Sequence, residues 1–329
     1  MPPSAAPRTN RPFANPALFV SGNRVETAGL RLARSWRKNT KYRPFPPIHF
    51  PARKLLCRRR TIMPRIHVNG IELHYEERGD GEPLLLIMGL GADGSLWAEH
   101  VQAYERHFRC IIPDNRGAGH SDKPPGPYST AMMAADMIGL LDAIGIARAH
   151  VAGISMGGCI AQEMALQAPH RVGKLVLIGT WPKCDAYTTR IFEMFRALIQ
   201  TSEASAFIRM LQLWIFTPNY HAQHMDDLLR REARAKANPN PMPPHAFVAQ
   251  CDACIAHDTL ERLGAIRAPT LITGGDQDIF TPMHYAKALH QGIAGSQLLV
   301  FAGGGHAHHF EAPETFNAKT IAFLQSGVL

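Results

Sequence analysis

A serine stands between two glycines at Gly153-Ile154-Ser155-Met156-Gly157, directly after the apolar run His150–Gly153 and before a stretch with helical character. A side chain held on a sharp strand-to-helix turn needs small neighbours two residues away on each side, and its oxygen then projects beside a helix N-terminus. A serine hydroxyl is a weak nucleophile at neutral pH unless a base takes its proton and an acid orients that base. The pattern therefore asks for a histidine and a carboxylate downstream, and both types occur in loops that follow apolar runs. Gly275-Asp276-Gln277-Asp278-Ile279-Phe280-Thr281-Pro282 offers Asp276 and Asp278, Asp185 follows an earlier run, and Gly303-Gly304-Gly305-His306-Ala307-His308-His309 offers three imidazoles. The chemistry indicated is acyl transfer through a covalent serine intermediate.

Three histidines within four residues also raise a metal site. A metal needs further ligands of suitable spacing, and neither a His-x-x-x-His helix nor a paired Cys/His module supplies them, so no metal is expected. Cys251 and Cys254 form a C-x-x-C without the strand-to-helix setting of a redox motif and read as ordinary helix residues. Gly117 and Gly119 follow Arg116 in a loop that matches no phosphate-binding fingerprint and reads as structural.

The elements that must position these groups alternate along the chain. Arg65–Val68, Asn69-Gly70 and Ile71–Glu76 read as a hairpin, because Asn-Gly supplies the two positive φ angles of a type I′ turn. Leu84–Met88, Cys110–Pro113, His150–Gly153, Leu175–Gly179, Thr270–Gly274 and Leu298–Phe301 are short apolar runs, the pattern of parallel strands covered on both faces. Helical stretches lie between them, notably Thr130–Ile144 and Met156–Gln167. The expected fold is a doubly wound, mostly parallel α/β sheet. Residues 181–264 break the alternation with aromatic- and Met-rich helical segments, Ile191–Ile199 and Phe207–Phe216, and read as a helical cap inserted into a core of residues 63–180 and 265–329. Such a cap would cover the carboxyl ends of the strands, where open α/β sheets bind ligands. Its apolar composition nominates Trp181, Trp214 and Phe216 for the substrate pocket and disfavours a multiply charged substrate.

The composition excludes other classes. Among 329 residues 46% are hydrophobic and 19% charged, an ordinary globular mix, and no apolar run reaches the roughly 18 residues that span a bilayer. The net charge of +8 belongs to the first 62 residues, which hold fourteen Lys and Arg against one acid, so the remainder is mildly acidic. A nucleic-acid groove therefore has no support from the main body. The Pro- and Arg-rich arm is expected to be disordered. It reads either as an organelle-targeting or tethering segment or as an upstream extension of a chain whose own start is Met63. Six scattered cysteines suit a reduced, cytoplasmic protein better than a disulfide framework.

From about Arg65 to Leu324 the chain resembles the α/β-hydrolase fold family, with a cap. The resemblance rests on Met88-Gly89-Leu90-Gly91 with Trp97, Asp114-Asn115-Arg116-Gly117-Ala118-Gly119-His120-Ser121-Asp122, the elbow at Ser155, Gly275–Pro282, and Gly305-His306 with Glu311 and Pro313. It implies that the acid is Asp278, four residues before Pro282, with Asp276 shaping the turn, and that the base is His306. It also implies an oxyanion hole from the backbone N–H groups of Leu90 and Met156, and no cofactor. The family's usual His-Gly opening of that loop is Met88-Gly89 here, so support of the loop is expected to differ. Within the family the pattern is similar to cofactor-free esterases, enol-lactonases and haloperoxidase-like serine hydrolases, and a hydrophobic ester or lactone is the implied substrate. A carbon–carbon bond hydrolase on the same triad and a non-catalytic ligand receptor stay as alternatives. A homo-oligomer is left open.

Overall fold

The computed structural model describes residues 64–329. The expectations for residues 1–62, and Met63, lie outside the described residues. Among the described residues eight strands form one sheet: β1 Arg65–Val68, β2 Ile71–Arg78, β3 Glu82–Ile87, β4 Phe108–Pro113, β5 Ala149–Ile154, β6 Val172–Ile178, β7 Thr270–Gly275 and β8 Gln297–Phe301. Their order is β1-β2-β4-β3-β5-β6-β7-β8. Only the β1–β2 and β2–β4 pairs are antiparallel. The first hairpin turns at Asn69 and Gly70, with φ of 46° and 75°, as their types require.

Eleven α-helices among the described residues accompany the sheet: α1 Ala98–Tyr104, α2 Thr130–Ala143, α3 Met156–Gln167, α4 Ala186–Leu198, α5 Ala204–Ile215, α6 Pro218–Gln223, α7 Met225–Ala237, α8 Pro244–Ala256, α9 Met283–Gly292, α10 His308–Glu311 and α11 Pro313–Ser326. The central strands are apolar throughout because both faces are covered. In β3, Leu85 and Ile87 join the core shared with α2 and α3, whereas Leu84 and Leu86 join the opposite core with Trp97, Tyr104 and Phe323. An exposed strand would alternate polar with apolar; here the alternation only selects which core receives each side chain.

Helices α4–α8 form the segment between β6 and β7. Its base is closed by an isolated antiparallel bridge between Lys183 and Asp258, where the chain leaves and rejoins the sheet. Within it α4 packs on α8 and α5 on α7. No helix among the described residues is long and apolar enough to cross a membrane.

Candidate active site

Ser155 sits at the end of β5 with φ 55° and ψ −119°, a left-handed conformation that a serine tolerates only under local constraint. The constraint is the close crossing of strand and helix. A Cβ on Gly153 would lie 2.2 Å from the carbonyl oxygen of Gly157, and one on Gly157 would lie 2.3 Å from that of Ile87. The flanking glycines are thus required by backbone contact. The Ser155 N–H donates to Ile178 O at 2.8 Å, and Ser155 O accepts from the Thr180 hydroxyl at 2.8 Å, which pins the turn to β6.

Asp278 and His306 come from the loops after β7 and β8. His306 Nδ1 lies 2.9 Å from Asp278 Oδ2, with both side chains buried. Asp278 Oδ1 accepts from the backbone N–H groups of Phe280 at 2.8 Å and Thr281 at 2.7 Å, which fixes the carboxylate plane. The Thr281 hydroxyl donates to Asp278 Oδ2 at 2.6 Å and lies 2.9 Å from His306 Nδ1. Phe280 meets the His306 ring edge-on at 4.8 Å between centroids. Asp276 is exposed and accepts from Gly303 N at 2.7 Å, tying the two loops together. Asp185 caps α4 by accepting from Thr188 N at 2.8 Å.

Ser155 and His306 open on one cavity of about 450 Å³, which Met88, Gly89 and Leu90 also line. The Ser155 hydroxyl makes no hydrogen bond to a described residue, a common condition of serine sites without substrate. The N–H groups of Leu90 and Met156 likewise have no partner among the described residues. The loop carrying Leu90 is held from two sides. Asn115 Nδ2 donates to Met88 O at 2.8 Å, and Gln250 of α8, fully buried, accepts from Gly91 N and donates to Arg116 O, both at 2.9 Å. The stretch from Asp114 onward is scaffold. Asp114 accepts from Gly94 N and His120 N and pairs with His74 Nδ1, and these bonds outweigh burial to hold its carboxyl below the ordinary value. Arg116 grips Asp136 through two bonds of 2.6 Å. His74, Asp114 and His120 bring possible metal-ligand atoms within 4.8 Å, but the Asp114 oxygens are already engaged.

Of the three aromatics nominated for the pocket, Phe216 lines the cavity and the tryptophans do not. Trp181 is fully buried behind Phe192, its ring 5.5 Å away, because the chain enters the insertion through the core rather than over the cavity. Trp214 packs edge-on at 6.4 Å behind Phe195, and Phe195 is the ring that faces the cavity. The cavity is also less apolar than the composition of the insertion suggested. Helix α7 turns Asp227, Arg230, Arg231 and Arg234 toward its mouth. Its repeated Arg/Asp spacing, Asp226 to Arg230 and Asp227 to Arg231, is the sequence signal of a salt-bridged exposed helix.

Glu311, part of the family pattern in the sequence, takes a role that its position alone did not indicate. Glu311 accepts from Gly305 N and Thr217 N, each at 2.7 Å, so one carboxylate joins the His306 loop to the end of α5. Ala307 N adds a bond to Ile215 O at 2.7 Å across the same seam. Cys251 and Cys254 are buried in α8, and burial pushes both thiols up, away from reactivity.

A model of the family described as alpha/beta hydrolase fold matches residues 82–313, more than half of the chain. A protein of Azorhizobium caulinodans, provisionally named carbamate hydrolase RutD, is 32% identical over 79% of this chain and 98% of its own length. Among solved structures, the enol-lactonase of Burkholderia xenovorans is 27% identical with a TM-score of 0.74, covering 80% of this chain and all of that one. A meta-cleavage product hydrolase of Pseudomonas fluorescens is 26% identical with a TM-score of 0.69, covering 80% and 97%.

Proposed function

The chain belongs to the α/β-hydrolase fold family, and from that premise we propose a serine hydrolase that cleaves a carboxylic ester, lactone or carbamate through an acyl-enzyme. What carries the reading is the convergence on one cavity of Ser155, of His306 paired at 2.9 Å with Asp278, and of the Gly89–Leu90 loop. In this mechanism Ser155 Oγ attacks the carbonyl carbon while His306 Nε2 takes its proton. Asp278 keeps the other imidazole proton on Nδ1 and stabilises the imidazolium. The N–H groups of Leu90 and Met156 receive the oxyanion, for which one such donor contributes about 3 kcal/mol in a dry site. His306 then returns the proton to the leaving group, and water releases the acyl group by the reverse sequence.

The carbamate enters because relatives carry that name, and its carbonyl needs the same attack and the same leaving-group protonation. A carbon–carbon bond hydrolase is the second reading, favoured by the likeness to a meta-cleavage product hydrolase. The test is turnover of p-nitrophenyl esters, lactones, carbamates and a vinylogous diketone acid by the native protein and Ser155→Ala. Turnover that drops by several orders of magnitude in the variant supports serine hydrolysis. Equal rates in both proteins, or none in either, would sink it.

A further inference from the structure

Among the described residues His309 is the one buried imidazole that opens on the cavity besides His306. It follows the candidate base by three residues in α10 and is 2% exposed. Its Nδ1 lies 3.1 Å from His100 Nε2, and His100 Nδ1 lies 2.8 Å from Asn317 Oδ1. The protons in this chain are ordered from its far end. An amide oxygen can only accept, so His100 carries its proton on Nδ1 and presents a bare Nε2. That nitrogen accepts from His309 Nδ1–H, which leaves His309 Nε2 without a proton.

The other buried rings show what a purely structural imidazole does. His308 is bonded at both nitrogens, to Gly305 O and the Thr273 hydroxyl, and His257 at both, to Thr130 and Thr259. His74 Nε2 is unpaired but sealed within the protein. His309 Nε2 makes no hydrogen bond to a described residue, is absent from the sealed orphans, and belongs to a side chain on the cavity wall. Burial and the neighbouring His100 also keep the ring in its neutral form. A fixed, neutral acceptor in a cavity wall, set among apolar side chains such as Phe216 and Phe310, is the arrangement by which a pocket selects a ligand hydrogen-bond donor.

We propose that His309 is a specificity-determining residue whose Nε2 accepts a hydrogen bond from an O–H or N–H group of the substrate. The preferred substrates are accordingly esters, lactones or carbamates that carry a hydroxyl, amine or amide N–H away from the scissile bond. This rests on the hydrolase reading above for its substrate class, and its test separates the two. The esters used are phenyl butyrate against its 2- and 3-hydroxy derivatives, and propyl butyrate against 2-hydroxyethyl butyrate. At least one hydroxylated ester should exceed its plain counterpart in kcat/KM by about threefold to tenfold, the worth of one neutral hydrogen bond. The ratio should fall to about one in His309→Leu and recover in part in His309→Gln, which restores an acceptor. Turnover without such a preference, or a preference that survives in His309→Leu, overturns the proposal while leaving the hydrolase reading intact. Imidazole nitrogen resonances of Ser155→Ala, assigned against His309→Gln in the same background, test the same atom without turnover. A bare Nε2 that moves with 2-hydroxyethyl butyrate but not with propyl butyrate supports the proposal. A protonated Nε2, or one that moves with neither, overturns it.

Discussion

Replacing Asp278 by Asn keeps the shape of the side chain and changes which proton the imidazole carries. In the native protein Asp278 Oδ1 accepts from two backbone N–H groups, while Oδ2 faces His306 Nδ1 and the Thr281 hydroxyl. The amide oxygen of Asn must keep the backbone side, because an NH2 there would oppose two N–H donors. The NH2 then faces His306 Nδ1 and requires it as an acceptor. The ring proton moves to Nε2, and the ring meets Ser155 as a donor instead of a base. Loss of the correct tautomer costs about 10⁴ in kcat, or about 5.5 kcal/mol of transition-state stabilisation. Stability should change far less, by about 1–3 kcal/mol for the imperfectly paired group. The assay is kcat for p-nitrophenyl butyrate at pH 8, with urea unfolding to show that the variant is folded. Asp276→Asn is the control: an amide oxygen can still accept from Gly303 N, and activity should stay within about tenfold of native. The reasoning is refuted if Asp278→Asn keeps more than a tenth of the native rate, or if Asp276→Asn shows the large loss instead.

Three other outcomes follow from the same contacts. Gln250→Leu leaves Arg116 O buried without a partner and frees Gly91 N from its side-chain acceptor, so it should lower stability by about 1–3 kcal/mol for the buried carbonyl and lower kcat more than it changes KM. Urea midpoints and initial rates check this, and unchanged kcat would remove Gln250 as a support of the Leu90 loop. Gly157→Ala forces a Cβ against Ile87 O and Met88 O, at 2.3 and 2.8 Å, and should cost about 3 kcal/mol or more in unfolding measurements; a native-like midpoint would contradict the crossing described here. Burial lowers His100, His257 and His308 to about 4 from 6.5, so below pH 6.5 the unfolded chain binds protons that the folded one refuses. Stability should therefore be full above pH 6.5 and fall as pH drops toward 4, by up to about 1.4 kcal/mol per pH unit for each ring. Urea midpoints at pH 7.5, 6.5 and 5.5 should show the decline, and His257→Gln should make it shallower.

Much of the framework was readable because its signals are local. Asn69-Gly70 specifies a turn through its own φ angles, and each short apolar run specifies a strand buried on both faces. The elbow was legible for the same reason, since Gly153 and Gly157 answer contacts made within one strand-to-helix crossing. Asp278 was separable from Asp276 only through the family's spacing. Their physical difference, a buried carboxylate turned to His306 against an exposed one turned to Gly303, depends on how two loops some thirty residues apart meet.

The sequence by itself determined the sheet, the strand-to-helix turn and the residue types able to perform acyl transfer, because periodicity and turn chemistry act between near neighbours in the chain. Only the tertiary structure decided what surrounds them. Trp181 and Trp214 went behind other rings, α7 brought arginines to the cavity mouth, and Gln250 and Glu311 became the struts between the insertion and the core. The ordered protons from Asn317 through His100 to His309 depend on side chains more than two hundred residues apart. Each of these outcomes is a contact between distant segments, and its energy depends on packing and desolvation that no single stretch of sequence contains.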